Sequence, residues 1–174
     1  IVITERVFIM ALTANYMIVS AEDLRNSGNE LPETAVLTVI SDGKYFNGTE
    51  MVPLNEQWKV APLEGLEGRI LNLTPHTCGV KDDAGVVHRI RASGFTARAV
   101  EKDEYAGLFH GVSLVEKVYA ETVGLPPEGI PVLISTIAAA GCRGRQFTFI
   151  PDSGGTCVRQ GNGQMDHATQ LIAA

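Results

Sequence analysis

Turn-forming residues interrupt this chain so often that long regular elements have little room. Its 174 residues include 18 Gly and 8 Pro, many of them standing where an apolar, β-branched run stops. Ser41-Asp42-Gly43-Lys44, Asn47-Gly48, Lys81-Asp82-Asp83-Ala84-Gly85 and Gly161-Asn162-Gly163 are tight-turn signals. Between such points lie short β-prone runs, among them Ala35–Ile40, Arg69–Leu73, Thr77–Val80, Val86–Ile90, Phe95–Val100, Ser113–Ala120, Ile130–Ser135, Phe147–Ile150 and Ala168–Ile172. The pattern predicts an α+β fold that is rich in β structure: mostly short antiparallel strands with one or two short helices. One helix opens at Ser20, whose hydroxyl suits an N-cap. Glu22 and Asp23 stand at its positive end, and Asn26-Ser27-Gly28-Asn29 stops it. Small residues over Thr136–Gly141 suit a second.

Near the start, Val7–Leu12 and Tyr16–Val19 read as two strands around Thr13-Ala14-Asn15. The span from Val7 to Ala21 has the length of a signal-peptide core. Glu5 precedes it and Thr13 and Asn15 break it, so it reads as buried strand and turn. No run approaches the ~18 apolar residues of a membrane-spanning helix.

The net charge of −6 is unevenly placed. Residues 1–68 carry four Lys or Arg against ten Asp or Glu, whereas residues 69–174 carry ten of each. The charge break coincides with Ala61–Gly68, a Pro- and Gly-containing stretch without periodicity that reads as a linker. An acidic N-terminal subdomain over 1–68 and an α+β domain over 69–174 are expected. A negative field repels nucleic-acid backbones and anionic membranes, so neither is an expected partner. The three cysteines, Cys78, Cys142 and Cys157, are widely spaced and form no C-x-x-C, which fits reduced, partly buried thiols. The four histidines show no metal-binding spacing, and no metal or cofactor is expected.

Three segments could carry chemistry. In Asn72-Leu73-Thr74-Pro75-His76 the proline ends a strand and leaves an amide, a hydroxyl and an imidazole near a loop rim. The plainer reading is a strand-end turn closed by side-chain hydrogen bonds to backbone. In Pro151-Asp152-Ser153-Gly154-Gly155-Thr156 the adjacent glycines could turn N–H groups outward as an anion nest, and Asp152 could accept from a ribose. An ordinary surface loop is the alternative. In Gly141-Cys142-Arg143-Gly144-Arg145 two arginines could grip a phosphate, or could simply follow a helix C-terminus. No P-loop and no G-x-S-x-G nucleophile elbow is present.

The Asn72–His76 motif, together with Ser93-Gly94-Phe95-Thr96-Ala97-Arg98, Val123-Gly124-Leu125-Pro126-Pro127, Ile130–Gly141, the Pro151–Gly154 loop, Val158-Arg159 and Asn162-Gly163, resembles a group of small, largely uncharacterised proteins of bacteriophages and prophages. The ordered elements cover residues 69–174, and the first 68 residues fall outside them. The resemblance implies a phage origin, a compact α+β fold and a cytoplasmic location in the host cell, without a reaction.

The leading expectation is a non-enzymatic binding protein that sequesters a nucleotide-like anion, such as a host immune signal. Its pocket would draw on Asn72, Thr74, His76, Arg98, Asp152, Ser153 and Arg159, with Phe95 or Tyr119 for stacking. This requires the Asn72–His76 rim and the Asp152–Gly155 bend to share one recess. A phage virion or assembly protein is the second expectation. A nucleotide hydrolase, with His76 as acid or base and Asp152 orienting it, is the third. Self-association into a homo-oligomer is expected from exposed strand edges.

Overall fold

A computed structural model describes residues 15–174. The strand expected over Val7–Leu12 lies outside them. β1 (Tyr16–Ser20) leads directly into α1 (Ala21–Asn26), and the Ser20 hydroxyl accepts from the Asp23 amide at 3.4 Å. β2 (Leu37–Ser41), β3 (Lys44–Phe46) and β4 (Met51–Pro53) follow and form an antiparallel meander in the order β1-β2-β3-β4. Asp42 and Gly43 both take positive φ in the β2–β3 turn, the geometry that matches strand twist in a two-residue hairpin.

The second four-stranded sheet is mixed. β5 (Leu71–Asn72), β10 (Val132–Leu133) and β11 (Thr148–Pro151) run parallel, with β14 (Leu171–Ala173) antiparallel on the outer side of β11. The expectation of antiparallel pairing fails here because α2 (Thr136–Ala140) carries the chain back between β10 and β11, and such a crossover makes neighbouring strands parallel. Three two-stranded ribbons complete the described chain: β6 (Cys78–Lys81) with β7 (Val87–Ile90), β8 (Arg98–Phe109) with β9 (Val112–Val123), and β12 (Val158–Arg159) with β13 (Met165–His167). The molecule is thus dominated by strands, with two short α-helices among the described residues. None of its described helices is long and apolar enough to cross a membrane.

One core joins the two larger sheets. Ile18, Leu37, Val39 and Phe46 from the first pack with Leu71, Leu73, Val132, Ile134 and Ala138 from the second. Phe95 completes it by meeting Phe46 edge-on at 5.4 Å between ring centres. Each such side chain contributes about 2 kcal/mol by leaving water. The core therefore crosses the boundary expected at Gly68. The Ala61–Gly68 stretch does not behave as a free linker either: the Leu63 amide donates to the Ile18 carbonyl, and Leu66–Gly68 form a 3₁₀ turn. Glu67 receives two-pronged hydrogen bonds from Arg91, which hold its carboxyl below the usual range.

Two glycines are fixed by close approach. A Cβ on Gly94, whose φ is +84°, would collide with the Thr34 carbonyl. On Gly79 it would stand 2.6 Å from the Asp166 carbonyl oxygen, where β6 passes β13.

Candidate functional site

β5, β10 and β11 all end at the same side of the mixed sheet. Each carboxyl end delivers residues to one recess: Thr74 beyond β5, Ile134, Ser135 and Thr136 beyond β10, and Ile150 and Pro151 at the end of β11. His76, Thr77 and Cys78 enter from the chain that turns into β6, while Gln160, Gln164 and Met165 close the recess from the β12–β13 hairpin. Its volume is about 590 Å³, within the usual range for small-molecule sites. The position obeys a general rule for sheets with parallel strands, in which ligands sit outside the carboxyl ends.

The wall is mostly apolar, and its polar groups carry no fixed charge. Hydroxyls of Thr77, Ser135 and Thr136, amides of Gln160 and Gln164, and the His76 imidazole stand beside Ile134, Ile150, Met165 and Cys78. Neither an arginine, a lysine nor a carboxylate lines it. Ser135 also has a local duty, because its hydroxyl accepts from the Ala138 amide and caps α2. Among the described residues, no group of three or more His, Cys, Asp or Glu is placed to share a metal ion.

Asn72 is completely buried and faces its own turn rather than a ligand. Its Nδ2 donates to the His76 and Ile90 carbonyls at 2.8 and 2.9 Å. Its Oδ1 accepts from the Thr74 amide at 2.9 Å and from the Thr74 hydroxyl at 2.7 Å. Every hydrogen-bonding direction of that side chain is used, so the strand-end-turn reading of this segment is the right one. Thr74 touches the recess, and its hydroxyl is drawn into the same knot. His76, exposed at the rim, is the member of the trio with a free imidazole.

Asp152 follows directly on Pro151, so the bend does adjoin the recess, but its carboxylate is not among the lining groups. It closes its own loop by accepting from Gln170 Nε2 at 2.6 Å, the Gly154 amide at 2.9 Å and the Thr156 hydroxyl at 3.2 Å. These donors, Gln170 foremost, keep its carboxyl below the usual range. Arg159 likewise staples the adjoining hairpin, donating to the Ser153 carbonyl at 2.8 Å and the Gly163 carbonyl at 3.0 Å. Ser153 is exposed and outside the lining. Phe95 is core, and Arg98 opens β8 away from the recess wall. Of the expected ligand residues, the recess thus gathers Thr74 and His76 alone.

Arg145 has a structural task, which favours the plainer of the two readings of its segment over a phosphate grip. Half-buried, its guanidinium donates to the carbonyls of Pro126 and Pro127, both at 2.9 Å, and to the Thr148 hydroxyl at 3.0 Å. Burial lowers its pKa from the ordinary arginine value.

Sequence reasoning missed Thr77, Ser135, Thr136, Gln160, Gln164 and Met165. Ser135-Thr136 carried a usable signal, because hydroxyl residues end the apolar run Ile130–Ile134 where a short helix begins. The two glutamines carried none, since only the fold of the β12–β13 hairpin turns them toward the sheet. No protein-family model, curated protein or solved structure matches the chain.

Proposed function

We propose that this chain is a small-molecule binding protein that holds a nucleoside-like ligand, or the nucleoside part of a larger nucleotide, without converting it. The observation that carries this reading is the recess at the carboxyl ends of β5, β10 and β11, with neutral donors and acceptors beside apolar side chains. A heterocycle with sugar hydroxyls matches that wall: its ring covers Ile134, Ile150 and Met165, and its polar edge meets hydroxyls and amides. A phosphate buried there would lack a cation, which is costly, so any charged portion belongs outside in water. A nucleotide-derived host immune signal is the first ligand class to try, given the resemblance of residues 69–174 to phage proteins.

The hydrolase alternative has less support. Asp152 is spent on its loop, leaving His76 without the carboxylate that was expected to orient it.

Thermal-shift measurements and calorimetry with adenosine, guanosine, their monophosphates, ADP-ribose and cyclic dinucleotides test the proposal. A ligand that raises the unfolding temperature should lose its effect in Thr77→Trp, which fills the mouth, and bind more weakly to Gln164→Ala. No response to any of these compounds at millimolar concentration would rule the reading out.

A further inference from the structure

The most unusual surface of the molecule is the ribbon formed by β8 and β9. Twelve residues in each strand give it a length of about 40 Å. Its base rests on α2, where Gly141 lies against the backbone of Glu121. From Glu101 to Lys117, however, every residue but Gly107 is exposed. The tip turns at His110-Gly111, both with positive φ, as a twist-matched two-residue hairpin requires.

Pairing places Tyr105 opposite Val115, Gly107 opposite Leu114, Leu108 opposite Ser113 and Phe109 opposite Val112. Alternation along β9 then assigns Tyr105, Leu108 and Val115 to one face and Phe109, Val112 and Leu114 to the other. These six side chains are between 43% and 69% exposed. At that exposure they present on the order of 600 Å² of surface. Divided between the two faces this is about 300 Å² each, whereas a stable interface takes about 800 Å² from each partner, so an occupant must engage the strand edge as well. A solitary two-stranded ribbon with both faces wet is marginal.

We propose that this arm is an assembly element and that its occupant is the arm of a second copy of this chain. Its two faces are alike in character, and no other described strand pairs with the outer backbone edge of either strand. A second arm laid along one edge, tip region beside tip region, would continue both apolar faces and pair the open N–H and C=O groups. Glu101, Asp103, Glu104 and Glu116 surround the base of the tip, with Lys117 bonded to Asp103 at 2.7 Å. That acidic collar disfavours an anionic bilayer or a nucleic acid as the occupant. The proposal is independent of what the recess binds.

Sedimentation of the full chain over a range of micromolar concentrations, with and without Phe109→Glu/Val115→Glu, tests it. The wild-type chain should sediment at twice the monomer mass or more. The double variant, charged on both faces, should be monomeric and should unfold at the midpoint of the dilute wild-type chain. A wild-type monomer at all concentrations would overturn the proposal, as would a variant that stays assembled. If the variant does not fold, hydrogen exchange on the wild-type chain decides instead. Amides of residues 105–115 should gain protection as concentration rises, and concentration-independent exchange there would reject the idea. A chain that remains monomeric yet floats with lipid vesicles would also reject it.

Discussion

The Asn72 knot and the β8–β9 arm invert the usual placement of side chains in opposite directions. In the knot, a fully buried amide sits among Leu71, Leu73 and Ile90, which are themselves buried. In the arm, six large apolar side chains stand in water. The buried polar group is explained within the molecule, because His76, Ile90 and Thr74 supply a partner for each of its hydrogen bonds. The exposed apolar groups have no such explanation inside the described chain. An anomaly satisfied internally speaks for structure, and one left open points outward, to a partner.

Substituting Asn72 should have the largest effect on stability. Asn72→Leu keeps the branched shape but removes the side-chain partner of the Ile90 carbonyl and of the Thr74 amide, and about 3 kcal/mol should be lost in denaturant unfolding. A loss below about 1 kcal/mol would mean water replaces the side chain, and the contrast with the arm would weaken. A smaller effect is expected from acid. Hydrogen bonds from Arg91 hold the Glu67 carboxyl below its ordinary 4.5, so this pair favours folding above that pH. Its contribution should disappear as pH falls through the lowered value. Unfolding midpoints should therefore drop less steeply below 4.5 in Glu67→Gln than in the parent, and parallel curves would show that the pair is inert. Least of all should come from the tip. Phe109→Ser should change the unfolding free energy of dilute protein by no more than about 0.5 kcal/mol. A larger loss would show that the ring packs against its own chain.

Legibility in the sequence followed burial. Ser20 capping, the Asp42-Gly43 and Asp82–Gly85 turns, and the Asn162-Gly163 hairpin were readable because each rests on local backbone chemistry. Strands over residues 35–40 and 147–150 were readable within one or two residues, since one or both faces are buried. The arm was not. Glu101-Lys102-Asp103-Glu104 looks like loop composition, and Gly107 interrupts the apolar pattern at a register shift. Period-two reading assumes one wet face and one dry face, and here both are wet. The recess was half legible. His76 could be named from the proline that ends β5, but Asp152 and Arg159 could not be told from ligand groups until their loop partners were seen. Parallel pairing of β5 with β10 joins residues 61 positions apart, and no local pattern encodes it.

The seam at Gly68 is electrostatic and nothing more. Ile18, Val39 and Phe46 on one side of it and Leu73, Phe95 and Ile134 on the other share a single greasy interior. A chain started at Arg69 would bare half of that interior, so the acidic portion is no detachable accessory. Its Glu67 holds Arg91 across the seam, and its inward-facing residues are tied by packing to those of the neutral portion.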